Sequence, residues 1–416
     1  MAVGGQSTGL FVDNQWIGNQ ATSSGGALYG GGQSRITFIG ENFTLNIADS
    51  VGGALTLAER SNCTFQLCRV TYSRTTGSGA VTCMGDSSPT FEGCFITNNL
   101  ATQEGGGVYI QDNADPTFVG CHISENTCYT AAGGIVASEN ARGHFEGCFI
   151  EENSADNNGG GLKANGNSTT SFNKCSISHN TAAGDGGGAS VEDQSRATFT
   201  NGFFLNNTAT SAGGGFAAHG SSTAQFKNMT IHRNIAFSHG GGCAFQDRSA
   251  VLVEDCLVQE NASPVNGGGI VAMDLTESTV RATRIRNNFA SSNGGGIMII
   301  SFAKLQVKDC SIANNTAGSK GGGIQMANYC QPSIFNSIIA DNTATNGAGI
   351  AQSNTASPSV IQSFINNNIA DSQGGGVLLE DYTAGLYEGT QIRGNVAASG
   401  SGAGVIALDY ARSNFT

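Results

Sequence analysis

Phe204-Leu205-Asn206-Asn207-Thr208-Ala209-Thr210-Ser211-Ala212-Gly213-Gly214-Gly215-Phe216 is followed 27 residues later by Ile231-His232-Arg233-Asn234-Ile235-Ala236-Phe237-Ser238-His239-Gly240-Gly241-Gly242-Cys243. In both stretches an apolar residue stands three positions before an asparagine, an alanine two positions after it, and a glycine run ends eight positions after it. The same pattern runs outward in both directions. Glycine runs end at Gly26, Gly53, Gly79, Gly107, Gly134, Gly161, Gly188, Gly215, Gly242, Gly269, Gly296, Gly323, Gly349, Gly376 and Gly404, a mean period of 27. Asn126, Asn153, Asn180, Asn207, Asn234, Asn261, Asn288 and Asn315 keep the eight-residue offset throughout, and Ser73 breaks the series nearer the start. Two further columns are apolar: Ile123, Ile150 and Ile177 precede their asparagines by three positions, and Phe118, Phe145 and Phe172 follow their glycines by eleven.

A repeat of this length built from helical hairpins or leucine-rich units needs a helix-forming stretch in each copy. Here the apolar segments are three to five residues long and lie between Gly, Asn, Ser and Thr, which is a strand-and-turn pattern. A strand recurring at the same place in every repeat forms an in-register parallel ladder with its copies. The sequence therefore predicts an all-β, right-handed parallel β-helix solenoid of about 15 coils, with three short strands per coil, continuous over residues 1–416. In that frame glycine serves a crowded corner, and the asparagines form an inward ladder that satisfies backbone groups left open by a bend.

Composition narrows the function. The chain has 416 residues, of which 61 are Gly and 5 Pro, with no Gly-x-y period, so collagen is excluded. A formal charge of −12 offers no basic stripe for phosphates, so no nucleic-acid partner is expected. No apolar run is long enough for a membrane span. The ends, with Asn19 already in phase and Phe415 in an unfinished coil, suggest either a segment flanked by further domains or a unit that stacks end to end on its own copies.

Seven of the twelve cysteines share one column, among them Cys68, Cys94, Cys121, Cys148 and Cys175. The plain reading is a small buried residue. The spacing of adjacent coils also admits disulfides, with Cys68–Cys94 and Cys121–Cys148 as the candidate pairs. Glycosylation sequons begin at Asn42, Asn62, Asn167, Asn206, Asn228, Asn314 and Asn414, and Asn206 and Asn314, one residue before the ladder, are expected to face solvent. Another sequon, at Asn261, falls in the ladder and should be a poor acceptor.

Gly106-Gly107-Val108, Gly133-Gly134-Ile135 and Gly268-Gly269-Ile270, with Phe43-x-x-Asn46, Phe204-x-x-Asn207 and Ile123-x-x-Asn126, carry a family likeness. These motifs resemble the paired Gly-Gly-apolar and Phe-x-x-Asn repeats of the polymorphic outer-membrane protein family, the chlamydial surface autotransporter adhesins. The resemblance covers nearly the whole chain, and implies a β-helix displayed outside the cell, as an autotransporter adhesin passenger or a comparable surface protein. Isoleucine replaces phenylalanine in most copies of the second motif, and the period is more uniform than the family requires.

An enzyme on such a fold needs acids and bases in a cleft, built by long loops from a few coils. No repeat carries an insertion beyond one or two residues. Asp112, Glu139, Asp193, Asp247, Asp274, Asp381 and Asp409 form a partial acidic column five residues after the glycines. Its sharper reading is paired catalytic or calcium-binding carboxylates, with Asp247 beside Asp274 and Asp381 beside Asp409. Its plainer reading is a turn, since Asn328, Asn354, Ser301, Gly166 and Gly220 share the position. The expectation is a non-enzymatic extracellular or cell-surface rod, structural or adhesive, glycosylated and part of a fibre, with no cofactor beyond those calcium candidates. Surface glycans or receptors are its expected partners. The alternative is a carbohydrate-active lyase or hydrolase.

Overall fold

In each coil the chain bends at single residues that adopt a left-handed backbone conformation. One such corner precedes the ladder asparagine, as at Glu125 (φ 55°), Glu152 (φ 57°) and Glu260 (φ 52°). A second precedes the cysteine column, as at Gly120 (φ 59°), Lys174 (φ 54°) and Asp255 (φ 53°). Gly, Asn and Asp are common at both corners because they bear this conformation at least cost. Between the corners the computed structural model, which describes residues 1–416, has only short parallel strands.

One coil of the first unit runs through Val108–Ile110, Thr117–Val119, His122–Ser124 and Thr127–Cys128. The next runs through Ile135–Ala137, Arg142–Glu146, Phe149–Glu151 and Ser154–Ala155. About 15 such right-handed coils form four parallel sheets without a helix. The chain divides into two compact units, Met1–Ala209 and Thr210–Thr416. Within each unit every strand pairs with its equivalents one coil away: Ile123 with Ile96 and Ile150 in the first, Ile285 with Val258 and Ile312 in the second.

The fourth strand was not expected. It is usually the two residues that follow the ladder asparagine, too short to show alternation, and only its pairing with neighbouring coils reveals it. Register also explains the uneven glycine spacing near the start. Leu28, Leu55, Val81 and Val108 are successive partners, which places Ala27, Ala54 and Ala80 where Gly107 stands in its coil. A Cβ at Gly107 would lie 2.9 Å from Nδ2 of Asn126, so this glycine allows a close approach to the ladder.

Inside, the second strand contributes a file of phenylalanine rings. Centroids are 4.7 Å apart for Phe65–Phe91 and Phe91–Phe118, and 4.9 Å for Phe118–Phe145, with planes within 8° of parallel. The isoleucines of the third strand face them, and both files are buried. Each such side chain removed from water contributes roughly 1.5–3 kcal/mol, and no coil can bury its own without its neighbours. The first strand is buried on both faces, because the preceding loop folds over its outer side. Tyr109 and Val136 pack there against Ala131 and Ala132, and the Thr82 hydroxyl donates to the Ser78 carbonyl at 3.0 Å.

Candidate functional site

The asparagine column is a continuous hydrogen-bonded ladder within each unit. Asn126 donates from Nδ2 to the Ile96 carbonyl (2.8 Å) and to Oδ1 of Asn153 (3.0 Å), and its backbone N–H reaches the same Oδ1 (3.1 Å). Asn153 repeats the pattern onto Asn180, which continues it onto Asn207. In the second unit the ladder runs from Asn234 through Asn261 and Asn288 to Asn315. All eight are buried, so these residues hold the corner together and are closed to ligands.

All twelve cysteines are buried free thiols, so the pairs Cys68–Cys94 and Cys121–Cys148 are not bridged. Equivalent residues on parallel, in-register coils direct their Cβ atoms the same way rather than toward each other, which is unfavourable for a disulfide. Each sulfur instead donates inward to a carbonyl of the preceding coil: Cys68 to Phe38 (3.4 Å), Cys94 to Phe65 (3.3 Å), Cys121 to Phe91 (3.3 Å) and Cys148 to Phe118 (3.4 Å). Hydrogen bonding with Cys148 and Cys94, followed by burial, raises the Cys121 thiol. Burial alone raises Cys83. Alkylation of the unreduced, denatured chain is expected to modify all twelve cysteines, and mass spectrometry finding ten or fewer would reveal a bridge.

The acidic column is a turn. Asp112, Glu139, Asp193, Asp247, Asp274, Asp381 and Asp409 all have φ between 49° and 61°, like Ser301, Asn328 and Asn354 in the same place. Several carboxylates accept from the backbone N–H one coil before: Asp112 from Gly85 (2.9 Å), Asp193 from Gly166 (3.1 Å) and Asp247 from Gly220 (2.9 Å). Asp247 and Asp274 do line one notch of about 320 Å³, but Arg248 shares it. Calcium takes six to eight oxygen ligands. Two carboxylates, one already bonded to a backbone N–H, in a notch that an arginine also lines, fall short of that number. Asp381 and Asp409 stand in the same turn, where their backbone carbonyls accept the N–H groups of Thr355 and Tyr382, both at 3.0 Å.

The next turn position carries the feature that the columns chosen from the sequence missed. It is polar from Arg60 through Asn113, Asn140 and Asn167 to Ser221 and Arg248, and from there on it is Leu275, Phe302, Tyr329, Thr355, Tyr382 and Tyr410. The aromatic members are 55–71% exposed. Phe302 stacks on Tyr329 at 5.3 Å and Tyr382 on Tyr410 at 5.1 Å, with planes within 9°. Phe302 (φ 67°), Tyr329 (φ 63°), Thr355 (φ 61°), Tyr382 (φ 60°) and Tyr410 (φ 65°) all hold the left-handed conformation, which bulky residues avoid. Strain of this kind persists where the surrounding structure fixes it, and it concentrates at functional sites. Beside this ridge lies a groove of about 430 Å³ with Pro332, Pro358 and Leu386 as apolar lining and Gln331, Ser357 and Arg412 among its polar groups. The change from polar to aromatic residues along one column was the available signal.

Two polar groupings complete the surface. Lys163 Nζ lies 3.0 Å from Glu192 Oε2, both largely buried, and Asn158 and Ser190 donate to Glu192 Oε1. Burial raises the Glu192 carboxyl, but the Lys163 charge and these hydrogen bonds outweigh it and hold the group below the usual carboxylate range. A lowered folded-state pKa adds stability that is present above the ordinary carboxylate pKa and is lost as pH falls through the lowered value. Glu192→Gln should therefore melt below the parent near pH 7, and the gap should narrow as pH falls below the ordinary carboxylate range, measured by thermal unfolding across that range.

The other grouping is a line across three coils. His144 Nδ1 lies 2.9 Å from Ser171 Oγ, and its Nε2 lies 2.9 Å from Asp115 Oδ1 without hydrogen-bond alignment. His144 and Asp115 are half exposed on an open strand face, where solvent screens the charges that a hydrolytic triad must concentrate.

Among the sequons, Asn62, Asn167, Asn206, Asn228, Asn314 and Asn414 are exposed, Asn42 is half-buried beside Gln15 (2.8 Å), and Asn261 is buried in the ladder. Asn206 (φ 52°), Asn228 (φ 53°) and Asn314 (φ 55°) are themselves corner residues, which gives asparagine a conformational reason to be there as well.

Neither a curated protein nor a solved structure matches the chain. The family model described as right handed beta helix region matches residues 26–204, 160–318 and 266–416. Those matches follow the same coils that the ladder and the phenylalanine file define, and the chain belongs to the right-handed β-helix family.

Proposed function

We propose that this protein is a non-enzymatic extracellular or cell-surface scaffold, structural or adhesive, that works through side chains repeated along its outer faces. One observation carries this reading: the interior is filled by stacked side chains, and the polar and aromatic groups left over stand in open columns and grooves. Contacts repeated at one-coil spacing gain strength by avidity, although each is weak. Burial keeps all twelve thiols out of direct reach of oxidants, so they can stay reduced in an oxidising location as well as in a reducing one. The glycine–asparagine repeats shared with the polymorphic outer-membrane protein family favour a surface adhesin passenger over a filament that stacks end to end.

Intact mass of the protein from its native source, before and after enzymatic deglycosylation, tests the glycosylated form of this reading. Loss of carbohydrate mapped to the exposed sequons Asn206 and Asn314 supports it. A bare polypeptide mass removes glycosylation and leaves the adhesin passenger.

A further inference from the structure

The aromatic ridge of the second unit has one gap. Tyr329 and Tyr382 are two coils apart, each is backed by a stacked ring on its far side, and between them stands Thr355. We propose that this gap is a binding slot for one pyranose ring of a neutral glycan, with the rest of the sugar chain lying along the neighbouring groove. The proposal rests on the reading of the protein as a surface scaffold for the origin of its glycan, and names what one of its faces recognises.

Width limits the occupant to one ring, and the polar surroundings select a sugar. Two coils separate the flanking rings by about 9–10 Å at the usual strand spacing. A single ring fills a gap of this kind in the interior file, where Phe118 lies 4.7 Å from Phe91 and 4.9 Å from Phe145, so the width admits one ring, flat or puckered. A chair-shaped sugar is thicker, because axial hydrogens project from both of its faces, and it can touch both tyrosines at once. The polar surroundings suit hydroxyl groups. Asp381 and Asn354 flank the slot in the adjoining turn position, and Gln331 and Ser357 line the groove on its other side.

Thr355 itself is the second indication. A β-branched residue is the least suited to φ 61°, a conformation that Tyr329 and Tyr382 hold in the same place, so tyrosine would fit this backbone better. Threonine keeps the slot open at a cost in local strain, and its hydroxyl turns back to the Asn354 carbonyl at 2.5 Å.

The test uses the purified full chain with cellohexaose, maltohexaose, chitohexaose and mannohexaose, read by saturation-transfer NMR and titration calorimetry. At least one hexaose is expected to bind. Thr355→Tyr should fill the slot and weaken that binding by roughly tenfold or more while melting no lower than the parent, and Tyr329→Ala and Tyr382→Ala should each weaken it by about tenfold. Tyr129→Ala, at an exposed tyrosine of the first unit, should leave it unchanged. Failure of all four hexaoses to bind, or equal binding by Thr355→Tyr, overturns the proposal, as does binding of adenosine without any hexaose. Because purified components are used, these outcomes are independent of where the protein resides, and failure of the slot is separable from failure of the surface reading.

Discussion

Replacing Phe118 by alanine is expected to destabilise the first unit by about 3–5 kcal/mol, read as a lowered midpoint of guanidinium unfolding. The ring is fully buried, with Phe91 at 4.7 Å on one side and Phe145 at 4.9 Å on the other. Its removal leaves a ring-sized void in a file whose neighbours cannot close up, because the strands on both sides are held in register by backbone ladders. A loss below about 1 kcal/mol would mean that the file is not packed in this way.

Asn288→Ala in the second unit tests the other internal column. The asparagine accepts at Oδ1 from the N–H and Nδ2 of Asn261, both at 3.0 Å, and donates from Nδ2 to the Val258 carbonyl (3.1 Å) and Asn315 Oδ1 (2.9 Å). Alanine takes one donor from the Val258 carbonyl and orphans two donors of Asn261 in a site without solvent. At about 1–3 kcal/mol for each buried unsatisfied group, partly relieved by relaxation, the expected loss is about 3–4 kcal/mol in denaturant unfolding. Asn288→Asp should be worse near neutral pH and recover as pH falls, because burial raises the introduced carboxyl and favours its neutral form. An unchanged midpoint in the alanine variant would show that the ladder contributes nothing net.

The period made the architecture legible because one residue type at one phase has one job. Asn153 and Asn180 repeat the same three hydrogen bonds, and Phe118, Phe145 and Phe172 the same stack. What period alone did not supply was pairing. The strand Ser154–Ala155 has no pattern of its own and exists through its partners, and Ala80 takes the glycine position beside the ladder by register rather than by identity. The acidic column was legible only as two alternatives. A carboxylate that bonds to a backbone N–H and one that waits for a metal look alike in sequence, and it was φ near 60° together with the Gly220 contact that separated them. The aromatic ridge was hidden for a different reason: it occupies one unit only, so reading for constancy passes over a column whose character changes at Leu275.

The scaffold reading places outward columns such as Phe302, Tyr329, Tyr382 and Tyr410 in contact with the surroundings of the cell. Treatment of intact cells of the native source with a membrane-impermeant amine-reactive label, followed by peptide mapping, tests this most directly. The account predicts labelling of exposed lysines such as Lys174, Lys227 and Lys304 before any lysis. Labelling that appears only after the cells are broken would contradict it.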